Sequence, residues 1–471
     1  MTIPMHFRTF DAQIYINRRQ VLRSKVESGI ILLMGNHEAP MNYRDNTYRF
    51  RQDSTFLYYF GLDVAGLAAI IDVDSGEEII FGTELTIDDI VWTGPLPTIS
   101  ELGATVGIHK TKDFAMLGDM LSKAKSASRQ IHFLPPYRHD NLIRISTWLD
   151  VPVGVTGAMA SLSLIKAIIS QRAIKENCEI DEIHKAVHIT VDMHLAAMKN
   201  ALPGMKEYEV AARVHQEALK AGGDLAFATI LTVSGETLHN HYQGNTIKEG
   251  QMILCDAGAE NDMHYAGDMT CTFPVGKSFT EKQKDVYNIV LHTHEAAVKM
   301  LRPGITYKEV YLKACENIFS GLKSLGITKG DPAEAVDAGA HAMFFQCGLG
   351  HMMGLDVHDL EDLGEQYVGY TDTMTKSTQF GIKSLRLGRE LETGFVLTVE
   401  PGIYFIPTLI DQWRAAGKFK DFIDYSKLEA YRDFSGIRVE EDFVITDTGS
   451  QLLGRSLPKT VAEIEEVRGS V

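Results

Sequence analysis

Strict alternation marks one stretch of this chain, and helical spacing marks much of the rest. From Met252 to Phe273 the sequence reads MILCDAGAENDMHYAGDMTCTF. Met252 to Cys255 is an apolar run ending at Asp256. After a polar turn containing Asn261 and Asp262, Asp268, Thr270 and Thr272 fall on one face and Met269, Cys271 and Phe273 on the other. Strand pattern on both sides of a turn predicts a hairpin. Centred near Asp262, it would set Asp256 opposite Asp268, the two carboxylates within about 5 Å. Facing carboxylates destabilise a sheet unless one is protonated or a cation lies between them. A bulge or shifted turn that sends one Asp to solvent is the alternative.

Downstream of a first α/β-patterned segment, Ile180, Ile183, Val187, Val191, Leu195 and Met198 recur at helical spacing. His184 and His188 on that helix have the i, i+4 spacing of a metal pair, but no third ligand is arranged with them or with His194, so surface or packed histidines are expected. The helix breaks at Leu202-Pro203-Gly204 before Tyr208-Glu209-Val210. The order returns at Leu301-Arg302-Pro303-Gly304 and Lys308-Glu309-Val310, after an apolar-periodic stretch from Val286 to Met300. Helix, Pro-Gly break and helix occurring twice point to an internally duplicated domain from about residue 172 to the end, with a site between its halves. Upstream, apolar runs at Ile30 to Met34 and Leu67 to Val73 alternate with turn signals up to about Asp150, which reads as an α/β domain with its own sheet. Val151 to Ser161, rich in Gly, Pro and small residues, is the expected linker.

Composition narrows the partners. At 471 residues the chain exceeds one ordinary core. A net charge of -16 argues against a partner bound through phosphates. The first residues, MTIPMHFRTFDAQ, lack an apolar leader core, and no apolar run approaches the roughly 18 residues of a membrane span. The expectation is a cytoplasmic protein with no nucleic-acid or membrane partner. Five scattered cysteines without a CxxC fit a reducing compartment and argue against a zinc-thiolate site.

Three further stretches set polar groups into apolar surroundings. Phe395 to Val399 reads as a buried strand that ends at Glu400, either surfacing there or serving as a ligand. In Gly436-Ile437-Arg438-Val439-Glu440, Arg438 and Glu440 share a face, which a plain surface ion pair would also produce. GLGHMMGLDVHD places His351 and His358 among apolar and glycine residues, where a lone histidine is usually a hydrogen-bonded core residue. Together with the Asp pair these groups form an oxygen-rich ligand set without thiolate, suited to manganese, cobalt or zinc and large enough for two ions. HExxH, GxSxG, the P-loop and GxGxxG are all absent.

The stretches DAGAENDMHYAGDMTCTFPVGKSFT, GLGHMMGLDVHD, VLTVEPGIY and GIRVEED resemble, in order and spacing, the motifs of the proline-specific peptidases with the pita-bread fold, aminopeptidase P and prolidase. YRFRQDSTFLYYFGL, Tyr48 to Leu62, resembles the aminopeptidase P N-terminal domain. The resemblance implies an α/β protein: an N-terminal α/β domain, residues 1–171, then a catalytic pita-bread α+β domain, residues 172–471, with pseudo-twofold duplication. It implies two divalent metal ions, manganese first and cobalt or zinc next, on Asp256, Asp268, His351, Glu400 and Glu440. His358 matches the histidine that contacts the substrate carbonyl. A second active-site histidine falls on His239, with His241 the alternative. Arg438 matches an arginine beside the last ligand, and Trp92 a tryptophan that lines a neighbouring subunit's site in tetrameric members.

The implied reaction is hydrolysis between an N-terminal residue and a following proline by a metal-bridged hydroxide, in a homodimer or homotetramer. Glu400 would carry the proton, while His358 and His239 stabilise the oxyanion. A prolidase with the same centre is the alternative. A non-catalytic pita-bread binding protein and a metal-free creatine-hydrolysing relative are disfavoured, because all five ligand positions carry ligand-capable residues. Two departures stand out: Cys347 where a histidine often precedes the metal histidine by four residues, and long segments at 370–391 and 407–435.

Overall fold

The structure is a computed structural model, and it describes residues 7–470. The chain divides into two compact units. One comprises residues up to Arg172 together with Leu360–Tyr367; the other comprises Ala173–Asp359 and the chain from Val368 onward. No single helix among the described residues is long and apolar enough to cross a membrane.

The first unit is built on a mixed sheet of β1 (Ile30–Met34), β2 (Ala68–Asp72), β3 (Glu78–Gly82), β4 (Thr111–Asp113) and β5 (Ile131–His132), in the order β4-β3-β2-β1-β5. Its three central strands are antiparallel and both edge strands join parallel. Alternate residues Ile30, Leu32, Ala68, Ile70, Ile79 and Phe81 share one buried cluster with Leu117, Leu121, Ile145 and Leu149 from flanking helices. The expected linker is not one. Val153–Thr156 is a helical turn, the Ser161 N–H donates to the Phe133 carbonyl, and the Ser161 hydroxyl meets His132 Nδ1 at 2.7 Å. The stretch is mostly exposed but folded into two short helical turns, and the unit continues through the helix Leu162–Arg172.

In the second unit the duplication is explicit. Helices Asn177–Asn200 and Glu207–Lys220 form the first pair, Glu281–Met300 and Tyr307–Ser324 the second. Each break turns on a glycine with positive φ, Gly204 (92°) and Gly304 (85°), a region that costs other residues. After the first break the Gly204 N–H donates to the Ile247 carbonyl and the Ile247 N–H to the Met205 carbonyl. After the second, Gly304 donates to Leu391 and Leu391 to Ile305. Five residues beyond each anchor a buried strand begins, β7 (Met252–Ala257) and β9 (Val396–Val399). Asp256 and Glu400 thereby occupy equivalent places in the two halves.

β7 lies between β6 (Ile230–Thr232) and β8 (Met269–Pro274). The second half supplies β10 (Gly402–Tyr404), β11 (Gly436–Arg438), β12 (Glu441–Ile445) and β13 (Ser450–Leu452), arranged as β9-β12-β13 beside the pair β10-β11.

The hairpin register corrects the sequence expectation. Asp256 is opposed by Thr270, not Asp268. The turn closes between Asn261 and Tyr265: the Asn261 N–H donates to the Tyr265 carbonyl, and Asn261 Oδ1 accepts from the N–H groups of Met263 and Tyr265, each at 3.0 Å. An asparagine side chain that mimics a backbone turn moves the centre from Asp262 to Met263. Moving the centre by one residue displaces the partner by two, so Asp268 keeps its face and becomes a diagonal neighbour of Asp256.

Candidate metal centre

The four strand-end carboxylates converge because each half ends a buried strand on an acid. Asp256 lies in β7, and Asp268 immediately precedes β8. Glu400 follows β9, and Glu440 precedes β12. The pairings Val399 with Glu441 and Gly402 with Arg438 place Glu400 in register with Glu440, in the interval between the two ladders. An isolated bridge from Thr270 to Glu440 joins the halves. His351 arrives on a glycine-rich loop whose Gly350 lies so close to β9 that an added Cβ would stand 2.1 Å from the Thr398 carbonyl oxygen. That approach requires glycine.

Asp268, His351 and Glu440 each offer a ligand atom, all within 4.8 Å of one another. His351 Nε2 is 3.3 Å from Asp268 Oδ2 and 4.0 Å from Glu400 Oε1. His351 Nδ1 donates to the Met352 carbonyl at 3.0 Å, which in the neutral ring turns the Nε2 lone pair toward the carboxylates. Asp268 Oδ1 is buried without a hydrogen-bond partner. A lone pair facing a carboxylate, beside an orphaned carboxylate oxygen, is an arrangement that a cation satisfies. The donor set of imidazole nitrogen and carboxylate oxygens therefore fits divalent metal ions.

The buried carboxylates also crowd one another. Burial, then Asp256, Asp442 and Glu400, hold the Asp268 carboxyl well above the usual range. Glu440 is raised well above its usual range by burial, Asp268 and Glu400, and Glu400 is raised chiefly by burial. Asp256 has a guanidinium partner instead: Arg438 Nη2 donates to Asp256 Oδ2, its Nη1 to the Tyr404 hydroxyl at 2.9 Å and its Nε to Thr270 Oγ1 at 3.1 Å. Thr270 in turn donates to Glu440 Oε2 at 2.7 Å.

All five predicted ligands line one cavity of about 580 Å³, together with His239, His241, His358 and Arg438. The His358 ring centroid is 4.0 Å from that of His351. Burial, followed by the charge of Arg438, lowers the His239 pKa. Cys347 also lines the cavity; burial and Glu400 push its thiol up to about 12, so it stays protonated at neutral pH. Trp92 lies in the helix Ile87–Thr93 of the first unit, 86 % exposed. His184 and His188 join no metal cluster among the described residues: His184 Nδ1 accepts the Gly454 N–H, and His188 Nδ1 meets the His184 carbonyl.

Sequence reading missed several residues of the site. Arg386 and Ser384, from the segment 370–391, line the cavity, as does Gln346. No spacing within that segment announces it. Thr270 did carry a signal, since it alternates onto the face of Asp268.

Residues 181–447 match metallopeptidase family M24, and residues 15–132 match the N-terminal domain of aminopeptidase P. A human Xaa-Pro dipeptidase is 31% identical over 451 residues, covering 93% of this chain and 89% of the relative. An Escherichia coli Xaa-Pro aminopeptidase is 29% identical over 464 residues, covering 96% and 97%. Among solved structures, zinc-substituted E. coli aminopeptidase P in complex with product aligns with a TM-score of 0.81 at 28% identity, covering 98% of this chain and 99% of that one. Proline aminopeptidase P II from Yersinia pestis aligns with the same TM-score and identity. The match spans more than half the chain and includes Asp256, Asp268, His351, Glu400 and Glu440: the chain belongs to metallopeptidase family M24.

Proposed function

We propose that this M24 protein is an aminopeptidase that releases an N-terminal residue preceding a proline. The observation that carries the reading is the convergence of Asp256, Asp268, His351, Glu400 and Glu440 on one cavity that also presents His239, His241 and His358. Divalent ions held by those five side chains, two in number and manganese first among candidates, would supply a Lewis acid and lower the pKa of a water.

The chain's own groups do the rest. The Glu400 side chain is 19% exposed, more than Asp256 at 13% or Asp268 at 6%, so it reaches the cavity best. It takes the proton of the attacking water and returns it to the proline nitrogen, which must be protonated to leave. His358 and His239 donate to the developing oxyanion, with His241 in reserve for the latter role. Arg438, engaged with Asp256, Tyr404 and Thr270, holds Asp256 in place and, lining the cavity, also faces the substrate. Residues 1–171 form the N-terminal domain and 172–471 the catalytic one, in a cytoplasmic homodimer or homotetramer to which Trp92 contributes an exposed aromatic contact.

A second reading is favoured by Arg386. A guanidinium lining the cavity can pair with the carboxylate of a dipeptide, which is the recognition a prolidase requires. The deciding experiment loads chelator-stripped protein with Mn²⁺ and compares release of the first residue from an Xaa-Pro-Yaa tripeptide with cleavage of an Xaa-Pro dipeptide. Faster tripeptide cleavage supports the aminopeptidase, and dipeptide-only cleavage makes the protein a prolidase. Silence on both overturns the proline assignment.

A further inference from the structure

His351 and Asp268 lie outside the regular ladders, yet their side chains must meet within a fraction of an ångström of a metal's preferred distances. The Thr398 N–H donates to the His351 carbonyl at 3.1 Å, and beyond that backbone bond a side chain grips the N–H of each residue. The His351 N–H donates to Thr398 Oγ1 at 3.3 Å, and the Asp268 N–H donates to Asp442 Oδ2 at 3.0 Å. Thr398 and Asp442 are directly opposed across the antiparallel β9-β12 ladder. Both are fully buried, at 0% exposure.

A carboxylate within a buried strand is costly unless it is paired or hydrogen-bonded. Asp442 Oδ2 accepts the Asp268 N–H, and Oδ1 has no hydrogen-bond partner. A threonine or valine would suit that strand position better on packing grounds alone. Opposed side chains in an antiparallel pair are held about 4.5–5.5 Å apart by the sheet itself. The ladder thus acts as a rigid ruler: each end grips one residue, and the two gripped residues bring Nε2 and Oδ2 to 3.3 Å.

We propose that Thr398 and Asp442 are positioning residues that set the separation of His351 from Asp268 and thereby the ion affinity of the centre. The inference rests on the metal centre proposed above. It assigns to Asp442 the work of a hydrogen-bond acceptor, not that of a further negative charge, and this distinction makes it testable. Asn at 442 keeps an acceptor for the Asp268 N–H and removes the charge. Ala removes both.

The test is a Co²⁺ titration of the chelator-stripped full-length protein, read by calorimetry and by the visible absorption of the bound ion, with far-UV circular dichroism as the folding check. Asp442→Asn and Thr398→Ser are expected to bind as wild type with the same spectrum. Asp442→Ala and Thr398→Val are expected to bind about 10–100-fold more weakly with an altered spectrum. Equal weakening by Asp442→Asn and Asp442→Ala overturns the proposal in favour of charge, and wild-type binding by Asp442→Ala overturns it outright. If Asp442→Ala does not fold, Thr398→Val decides: unchanged affinity and spectrum overturn the ruler. A wild-type protein that takes up no Co²⁺ overturns the metal centre and this inference with it, whereas a wild type that binds isolates the failure to the variants.

Discussion

Arg438 and Asp256 form a buried ion pair between the second half of the catalytic unit and the first, with side chains 4% and 13% exposed. Arg438 Nη2 donates directly to Asp256, and its charge also acts on Glu400 and Glu440. Arg438→Met is expected to destabilise the chelated protein by about 3–5 kcal/mol, because it leaves a buried charge uncompensated. Tyr404→Phe, which removes one hydrogen bond to the same guanidinium, should cost about 1 kcal/mol. Urea unfolding of both variants checks the order, and equal midpoints for wild type and Arg438→Met would show that the pair contributes nothing.

Metal should behave as a folding ligand. The cluster of Asp268, His351 and Glu440 is formed only in the native chain, so an ion that binds there stabilises the native state. Adding Mn²⁺ to stripped protein at about a hundredfold excess over its dissociation constant is expected to add about 2.7 kcal/mol. Asp268→Asn should lose that gain and turnover together. A variant that keeps full metal content and normal turnover would remove Asp268 from the centre.

His341 lies away from the cavity, buried beside Tyr311, and burial lowers its pKa to about 4. An unfolded histidine titrates near its usual value of about 6.5. Between those values the unfolded chain binds the extra proton, so stability is complete above about pH 6.5 and falls as pH drops toward about 4, by about 3 kcal/mol for this residue. Thermal unfolding with chelator present should show a shallower acid slope for His341→Leu than for wild type. Parallel slopes would refute the assignment.

Lys175 and Asp359 meet at 2.8 Å with side chains each 1% exposed. Lys175→Met alone is expected to destabilise by about 3–5 kcal/mol, and Lys175→Met with Asp359→Leu to regain much of it. Denaturant midpoints of the single and double variants measure this, and a double variant no better than the single would mean that the pair is not the source of the loss.

Local periodicity, read from the chain alone, anticipated much of the fold. Alternation around Thr270 identified β8, the apolar runs before Asp256 and Glu400 identified β7 and β9, and the two Pro-Gly breaks exposed the repeat of helix pairs. These features are legible because side-chain direction in a strand or helix depends only on residues a few positions away. Even the displaced hairpin centre left Asp268 on its expected face, since faces repeat every two residues.

What the sequence could not determine is which residues stand opposite each other. The Asn261 side chain chose the turn centre and so moved Asp268 from opposite Asp256 to the diagonal. The registers of two separate ladders put Glu400 level with Glu440, and Thr398 met Asp442 only through the closing of β9 on β12. Arg386 reached the cavity from a segment without periodicity, and Ser161 was tied to β5 by a contact that small-residue composition does not reveal. Such choices belong to the tertiary structure, because they depend on contacts that are distant in the chain and form only when the whole unit packs.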